Sequence, residues 1–542
     1  MQNLLKNIPK NILKALNVLQ EGGFEVYLVG GCVRDLLLGI LGKTPNDWDI
    51  TTSATPEQIQ TIFEKEGFKT VYENQFGTVL VILGEGKGEK CLEITPFRTE
   101  SEYSDKRHPD EIKWAKTLEE DLTRRDFTVN AIAIALTESL NPKSEILNKS
   151  KIQNSKSKNN HQLPTCLPAG RTANLSAGMQ DCQLKIIDLF NGQLDIQNQI
   201  IRAVGVPEQR FKEDALRLMR AIRFAVYLSD AGWHIEEKTF EAIKKQANDL
   251  SFVSGERIRD ELIKIIESYN PKQGIELLRE TGLLKYILPE LLEGFGIAQN
   301  KHHTFEVYQH NLLALEYASK QKFSFEVKMA ALLHDIGKPR TKRGQGKDAT
   351  FYNHELVSAN MAKKVLTRLR FPKKQVDKIT LLVKSHLFYY NVGEVKDASV
   401  RRLIKKVGPE NIEELLELRY ADRIGSGVPK AEPYKLRHLK YLVEKVSHDP
   451  ISTKMLKVTG EDVMDILKIK PCPKVGHVLS YLLSYALSYP EKNKKNVLSQ
   501  KIKEVGQMSD LEVGHLFEKS QKEINEVIQK NDKMTKAKYW VT

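Results

Sequence analysis

The sequence predicts an α+β chain, with a mixed α/β head at the N-terminal side and a remainder built from helices. Three observations predict it. Short β-rich runs alternate with helical segments through the first part of the chain. From residue 205 onward, nearly every segment repeats its apolar residues with helical period. At 542 residues the chain is too long for one ordinary hydrophobic core, so several domains are expected.

Residues 9–22 read as a helix, and Phe24–Val29 as a strand that ends at Gly30-Gly31. A helix carrying Val33–Leu38 follows, then the strand Asp49–Thr52. Thr55 caps the next helix on this reading, because Pro56 suits a first turn and Gln58 completes a capping box. Val71–Tyr72, Thr78–Leu83 and Cys91–Thr95 are β-rich and complete the α/β unit. Thr117 and Glu120 carry the signature of a second capping box, which opens a helix running towards Arg124-Arg125-Asp126.

Residues 141–180 break this pattern. They are rich in Asn, Ser and Lys with a single acidic residue, Glu145, and a tract so polar buries too little apolar surface to offset the entropy of ordering. A disordered surface insertion is expected there. It parts Ala131–Leu136 from Lys185–Leu189, two strand-like pieces expected in one sheet. The expected division is a head of residues 1–140 plus 181–200, a helical neck of 201–300, a helical domain of 301–445 and a helical tail of 446–542. In the tail, Thr459 and Asp462 open a helix, and the Lys-rich stretch near 492–504 either follows RNA phosphates or forms a solvated face.

Lys plus Arg number 83 against 70 for Asp plus Glu, and the resulting net charge of +13 favours a polyanionic partner, nucleic acid above all. Cys32, Cys91, Cys166, Cys182 and Cys472 lie far apart, in neither zinc nor disulfide spacing, which points to a reducing compartment. The amphipathic N-terminus is unlike a signal peptide, and no run approaches the ~20 apolar residues of a bilayer span. A cytoplasmic protein with no membrane partner is expected.

Two groups of residues carry chemistry. In the first, the strand-turn-helix Tyr27–Asp35 brings backbone N–H groups at Gly30-Gly31, a helix N-terminus and the fork of Arg34 to one place, an arrangement suited to phosphate. Asp47 and Asp49 follow. On one strand they share a face while Trp48 and Ile50 turn to the other, and two adjacent carboxylates repel unless a cation such as Mg²⁺ lies between them. A third carboxylate is Glu93, set between apolar neighbours on a later strand; a solvated strand face is the alternative for it. In the second group, His310, His334-Asp335, His354, His386 and Asp422 offer imidazole and carboxylate ligands from several helices, a set suited to one or two divalent transition-metal ions.

Taken in order, Gly30-Gly31-x-Val33-Arg34-Asp35, the Asp47/Asp49 pair and Arg124-Arg125-Asp126-Phe127-Thr128-x-Asn130-Ala131 resemble the class II CCA-adding and bacterial poly(A) polymerase family, within the DNA polymerase beta-like nucleotidyltransferases. The resemblance continues through Glu213-Asp214-Ala215-Leu216-Arg217-x-x-Arg220-Ala221-x-Arg223-Phe224 and Gly255-Glu256-Arg257-Ile258, and runs into an HD-type domain. It implies that Gly31 and Arg34 hold a triphosphate, Asp47 and Asp49 hold Mg²⁺, and Arg125, Asp126 and Asn130 contact the incoming nucleotide. Asp214 and Arg217 would pair with the base edge, in place of a nucleic-acid template, while Arg220 and Arg223 support the phosphates. It further implies CTP and ATP as substrates and the tRNA 3′ acceptor end as partner. The histidine set is similar to the HD superfamily, where His310, His334, Asp335 and Asp422 match the core ligands and His354 and His386 match positions used with a second metal; phosphohydrolase activity is implied. The family usually has Gly where Cys472 stands, so a positive φ there would strain the turn.

The expected activity is therefore addition of CMP and AMP to tRNA. Poly(A) synthesis and CC-only or A-only addition are the alternatives within the fold. Against the first, the run Glu93–Arg98 resembles the CCA-adding version of that strand; against CC-only addition, the segment Thr99–Lys116 is long and polar, whereas CC-only enzymes resemble this chain with that loop shortened. An HD phosphohydrolase with a vestigial head and a non-catalytic RNA-binding protein are the alternatives outside it; the first sits poorly with intact Asp47, Asp49 and Asp214, the second with intact metal ligands in two separate sites.

Overall fold

The computed structural model describes residues 2–39, 45, 47–72, 77–83, 90–100, 112–138, 182–228, 232–299, 304–427, 432–447 and 452–541. The expected insertion at 141–180 lies outside them, as does most of the polar segment Thr99–Lys116. Two compact units are formed, one by residues 1–292 with 365–372 and one by 293–364 with 373–542. No described helix is long and apolar enough to cross a membrane.

The first unit is organised by a seven-stranded mixed sheet. Its strands are Val26–Val29 (β1), Asp49–Thr52 (β2), Lys69–Tyr72 (β3), Val79–Leu83 (β4), Lys90–Pro96 (β5), Ile132–Glu138 (β8) and Cys182–Asp188 (β9). They lie in the order β3-β4-β5-β2-β1-β8-β9, while Arg98–Glu100 (β6) and Ile112–Trp114 (β7) pair separately. Only β2 and β5 run parallel in the large sheet. Leu28, Val29, Ile50, Ile94 and Ile134 are buried, each contributing on the order of 1.5–3 kcal/mol on leaving water. The helix Lys10–Glu21 buries Ile12, Leu13, Leu16 and Leu19, which recur at helical spacing on one face.

Most expected elements form where the periodicity put them, including β8 and β9, which pair antiparallel on either side of the interrupting tract. The Thr55 capping box is complete. The Thr117 box is one-sided: Thr117 accepts from the Glu120 N–H, but the Glu120 carboxylate takes the Lys116 N–H instead of returning to Thr117. Three further expectations are corrected. β2 begins at Asp49, so Asp47 lies in the bend before the strand. Asp214 lies in the stretch read as helical from residue 205 onward, yet its backbone is extended, at the break between the helices Pro207–Glu213 and Leu216–Tyr227. Finally, the remainder is not purely helical, because Ile200–Ile201 (β10) pairs in parallel with His234–Ile235 (β11).

The described elements of the second unit are helices, apart from one isolated antiparallel bridge between Arg343 and Thr350. The helix Phe325–Leu333 has Val327 through Leu333 buried all round, Lys328 included, and delivers His334 at its C-terminal end. Its tail has its own core of Val463, Val478, Leu482, Leu498, Ile502 and Val513. Thr459 and Asp462 form a full capping box. Cys472 takes φ −155°, an extended conformation open to any residue, so the expected strain does not arise; the left-handed position is Lys468, at φ 56°.

Candidate functional site

The sheet order brings two carboxylates together that the chain keeps far apart. In the parallel pairing of β2 and β5, Asp49 stands directly opposite Glu93, so their side chains leave the same face. β1 lies on the other flank of β2 with Val29 opposite Asp49, and the chain then turns at Gly30 into the helix Gly31–Leu37. Burial raises the Asp49 carboxyl above its ordinary value and the neighbouring Asp47 adds to this, while Arg125 and Arg34 pull the other way. A partly buried carboxylate crowded by a second one favours a bound cation, and Asp47, Asp49 and Glu93 are the oxygen donors on these elements that could hold it.

Gly30 explains why no side chain intervenes. It caps the helix at φ 79°, ψ −141°, a conformation that is essentially glycine's alone. A Cβ there would stand 2.9 Å from Asp49 Oδ2 and 3.2 Å from Arg125 Nη1. Gly30→Ala is therefore expected to cost about 1–3 kcal/mol in backbone strain and to displace Asp49. Denaturant unfolding together with nucleotide-addition kinetics would check it, with activity lost beyond what the stability change explains.

The same unit also gathers several arginines. Arg34 is buried and splits its fork, donating to Asp35 at 2.8 Å and to Asn130 Oδ1 at 2.8 Å. The Asn130 amide donates in turn to Asp126 Oδ1, and Arg220 donates to Asp126 Oδ2 at 2.7 Å. Burial alone would raise the Asp126 carboxyl, but Arg220 and Arg217 outweigh it and hold Asp126 well below the usual carboxylate range. Arg223 pairs with the buried Glu261 at 3.2 Å, and burial together with the like charge of Arg220 brings it down to about 10. Arg34, Arg220 and Arg223 all lie around one aromatic ring, Phe224, at 5.2, 5.4 and 4.2 Å from its centroid. Three guanidiniums so close repel each other, and a polyanion relieves that repulsion. Arg125 reaches Asp121, a buried carboxylate that burial would raise but that Arg125 and Arg124 hold low. A Cβ on Gly31 would meet Arg34 Nη2 at an ordinary 3.5 Å.

Asp214 and Arg217 are not partners of each other. Asp214 accepts the Leu216 N–H at 3.0 Å and the Arg257 guanidinium at 2.7 Å. Arg217 donates to Glu213 and to the carbonyls of Arg210 and Arg124. Arg257 and Phe224 stood in the quoted motifs without a role; nothing in spacing alone ties either to its partners.

In the second unit six side chains converge around Asp335. His310 Nε2 lies 2.9 Å from His334 Nε2, 3.0 Å from Asp335 Oδ2 and 3.4 Å from Asp422 Oδ1. On the other carboxylate oxygen, His354 Nε2 is 3.2 Å and His386 Nε2 3.8 Å from Asp335 Oδ1. The Nδ1 atoms of His334, His354 and His386 each sit 2.7–2.8 Å from the backbone carbonyl three residues earlier. A carbonyl only accepts, so those nitrogens carry a proton and Nε2 is the inward atom, holding a second proton where the ring is charged and able to give its lone pair to a metal where it is neutral. Burial opposes charge on His334, but Asp335 prevails and raises it to about 10, whereas burial and the His334 charge bring His386 down to about 3. The cluster thus favours positive charge beside Asp335, its nitrogen and oxygen donors would suit a divalent metal, and Asp335 is common to both groups of side chains that could hold one. Lys338, one turn after Asp335 and absent from the expected set, lies 2.6 Å from Asp335 Oδ2 and donates to Gln299.

Comparison with known proteins gives matches in both units. Residues 26–146 match the poly A polymerase head domain, 232–294 the probable RNA and SrmB-binding site of polymerase A, and 301–426 the HD domain. The chain is 41% identical to the CCA-adding enzyme of Ligilactobacillus salivarius over 52% of its own length, and there it spans just over half, 56%, of that enzyme. It is 30% identical to the CCA-adding enzyme of Lactobacillus delbrueckii subsp. bulgaricus over 496 residues, 90% of this chain and 96% of the other. The crystal structure of the Bacillus stearothermophilus CCA-adding enzyme in complex with CTP is 25% identical and aligns over 91% of this chain and 96% of that one, with a TM-score of 0.47.

Proposed function

We propose that this chain, which belongs to the CCA-adding enzymes, transfers CMP and AMP from CTP and ATP to the 3′ end of tRNA without a nucleic-acid template. The observation that carries this reading is the pairing of Asp49 with Glu93 on adjacent strands, beside Asp47 and within the field of Arg34 and Arg125. Mg²⁺ held by Asp47 and Asp49 would neutralise triphosphate charge and lower the pKa of the attacking hydroxyl. The chain's own residues do the rest. Gly31 and Arg34, with Arg220 and Arg223 around Phe224, hold the triphosphate, and Arg125, Asp126 and Asn130 orient the sugar so that the tRNA 3′-hydroxyl attacks in line as pyrophosphate leaves. For Asp214 and Arg217 to read a base, its edge takes the place of Arg257 at Asp214 and of Glu213 at Arg217. An Asp accepts from an exocyclic amine and an Arg donates to a ring nitrogen or carbonyl, so one pair serves C and A. On this reading residues 1–140 with 181–200 are the catalytic head, 201–300 the neck, 301–445 the HD domain and 446–542 the tail.

The test uses tRNA lacking its 3′ end, with CTP alone, ATP alone, then both. Two additions with CTP, one more once ATP is present, and then arrest are expected. Unlimited A addition would replace this reading with poly(A) synthesis, and CC-only or A-only products with a split activity. A second reading concerns the other unit, where the Asp335 cluster opens on a cavity of about 760 Å³: a metal-dependent phosphohydrolase. His334→Ala should abolish phosphate release from phosphomonoesters and leave nucleotide addition intact; loss of both would contradict separate sites.

A further inference from the structure

We propose that Arg423 and Tyr352 are the substrate-recognition residues of the second site, Arg423 taking the phosphate and Tyr352 stacking on the base of a nucleoside phosphomonoester. This rests on the phosphohydrolase reading of that site. Two arginines one turn apart on the helix Ile412–Gly425 line the same cavity, and they differ in kind. Arg419 is committed: it donates to Asp422 and lies 5.9 Å from the Phe388 ring centroid. Arg423 forms no ion pair among the described residues, and its Nε is buried without an acceptor. The carboxylate nearest in sequence to this half-buried guanidinium, Asp422, is already paired with Arg419, so an added anion would find Arg423 unengaged by any ion pair among the described residues. It stands next in sequence to the metal-set residue Asp422 and lines the cavity with Asp335, Lys338, His354 and His386, so an anion there touches the metal donors as well.

The rim supplies the second half of the ligand. Tyr352 is 74% exposed and Leu387 51% exposed, yet both line this cavity. An aromatic face offered to solvent beside a cationic, metal-binding pocket is a stacking platform, and every nucleobase has a π-face to lay on it. A cavity of about 760 Å³ is large enough for a nucleoside with its phosphate.

The full chain loaded with Mn²⁺ is titrated calorimetrically with inorganic phosphate and, separately, with adenosine; the second-site metal is the Mn²⁺ lost in His334→Ala. Arg423→Gln should keep that Mn²⁺ and weaken phosphate by about tenfold or more, as expected for a hydrogen bond to a charged group. Tyr352→Ala should leave phosphate unchanged and weaken adenosine by about tenfold. Comparing phosphate release from adenosine 3′-monophosphate and from RNA ending in a 3′-phosphate identifies the source, and a rise in KM without a fall in kcat in Tyr352→Ala supports the stacking role with either. Wild-type phosphate affinity in Arg423→Gln overturns the phosphate assignment, and so does loss of Mn²⁺, because the arginine would then act through the metal cluster. Unchanged adenosine affinity in Tyr352→Ala overturns the stacking role. A chain with no Mn²⁺ sensitive to His334→Ala overturns instead the metal-centre reading beneath both.

Discussion

Asp49→Asn is expected to cut nucleotide addition by about a thousandfold or more, since the charge stabilisation supplied by a catalytic metal is worth several kcal/mol. The amide is isosteric, so β2 should keep its register against β1 and β5 and the neighbours Ile50 and Val29 stay buried. Single-turnover addition of CMP to truncated tRNA measures the loss, and circular dichroism checks the fold. The variant should also lose Mn²⁺ affinity in the head. Full addition activity in Asp49→Asn would remove the carboxylate pair from the mechanism. Phosphate release at the second site should be unaffected, because Asp335 and its histidines lie in the other compact unit.

Asp126→Ala is expected to destabilise the first unit by about 3–5 kcal/mol, the usual cost of breaking a buried charge pair by removing one partner. Four groups lose their acceptor or anchor together: Arg220, the Phe127 N–H, the Asn130 amide and, through Asn130, Arg34. Hydrogen exchange of β8 and of the helix Leu216–Tyr227 reports this unit directly, which matters because a chain of two units need not unfold in one step. Arg220→Met in the Asp126→Ala background should recover part of the loss; additive losses would mean that the two residues do not interact. The same pair sets a pH dependence. The folded Asp126 carboxyl is held well below its ordinary value, so its contribution is fully present above about pH 4, the unfolded value, and is shed as pH falls towards the folded value. Asp126→Asn should flatten stability across that acid range.

The elements legible in the sequence are those whose cause is local. The periodicity of Ile12, Leu13, Leu16 and Leu19 makes a helix wherever it is placed, and Thr55 with Gln58 caps one without outside help. The misreadings have the same origin. Asp47 belongs to an alternating pattern, yet the strand starts only where β1 and β5 supply hydrogen-bond partners, at Asp49. Asp214 sits within a helical repeat, but its carboxylate takes the Leu216 N–H and so starts a new helix. An Asp that bonds a backbone N–H two residues on competes with helix continuation.

By itself the sequence determined the order of strands and helices, most of their ends, and which carboxylates, arginines and histidines are available for chemistry. Only the tertiary structure decided which of them meet. Glu93 faces Asp49 because β5 docks alongside β2, three arginines share Phe224 because the helix that carries two of them packs near Arg34, and Asp335 joins two sets of histidines because five helix ends converge on it. Such meetings depend on contacts between segments far apart along the chain, and residue spacing holds no information about those.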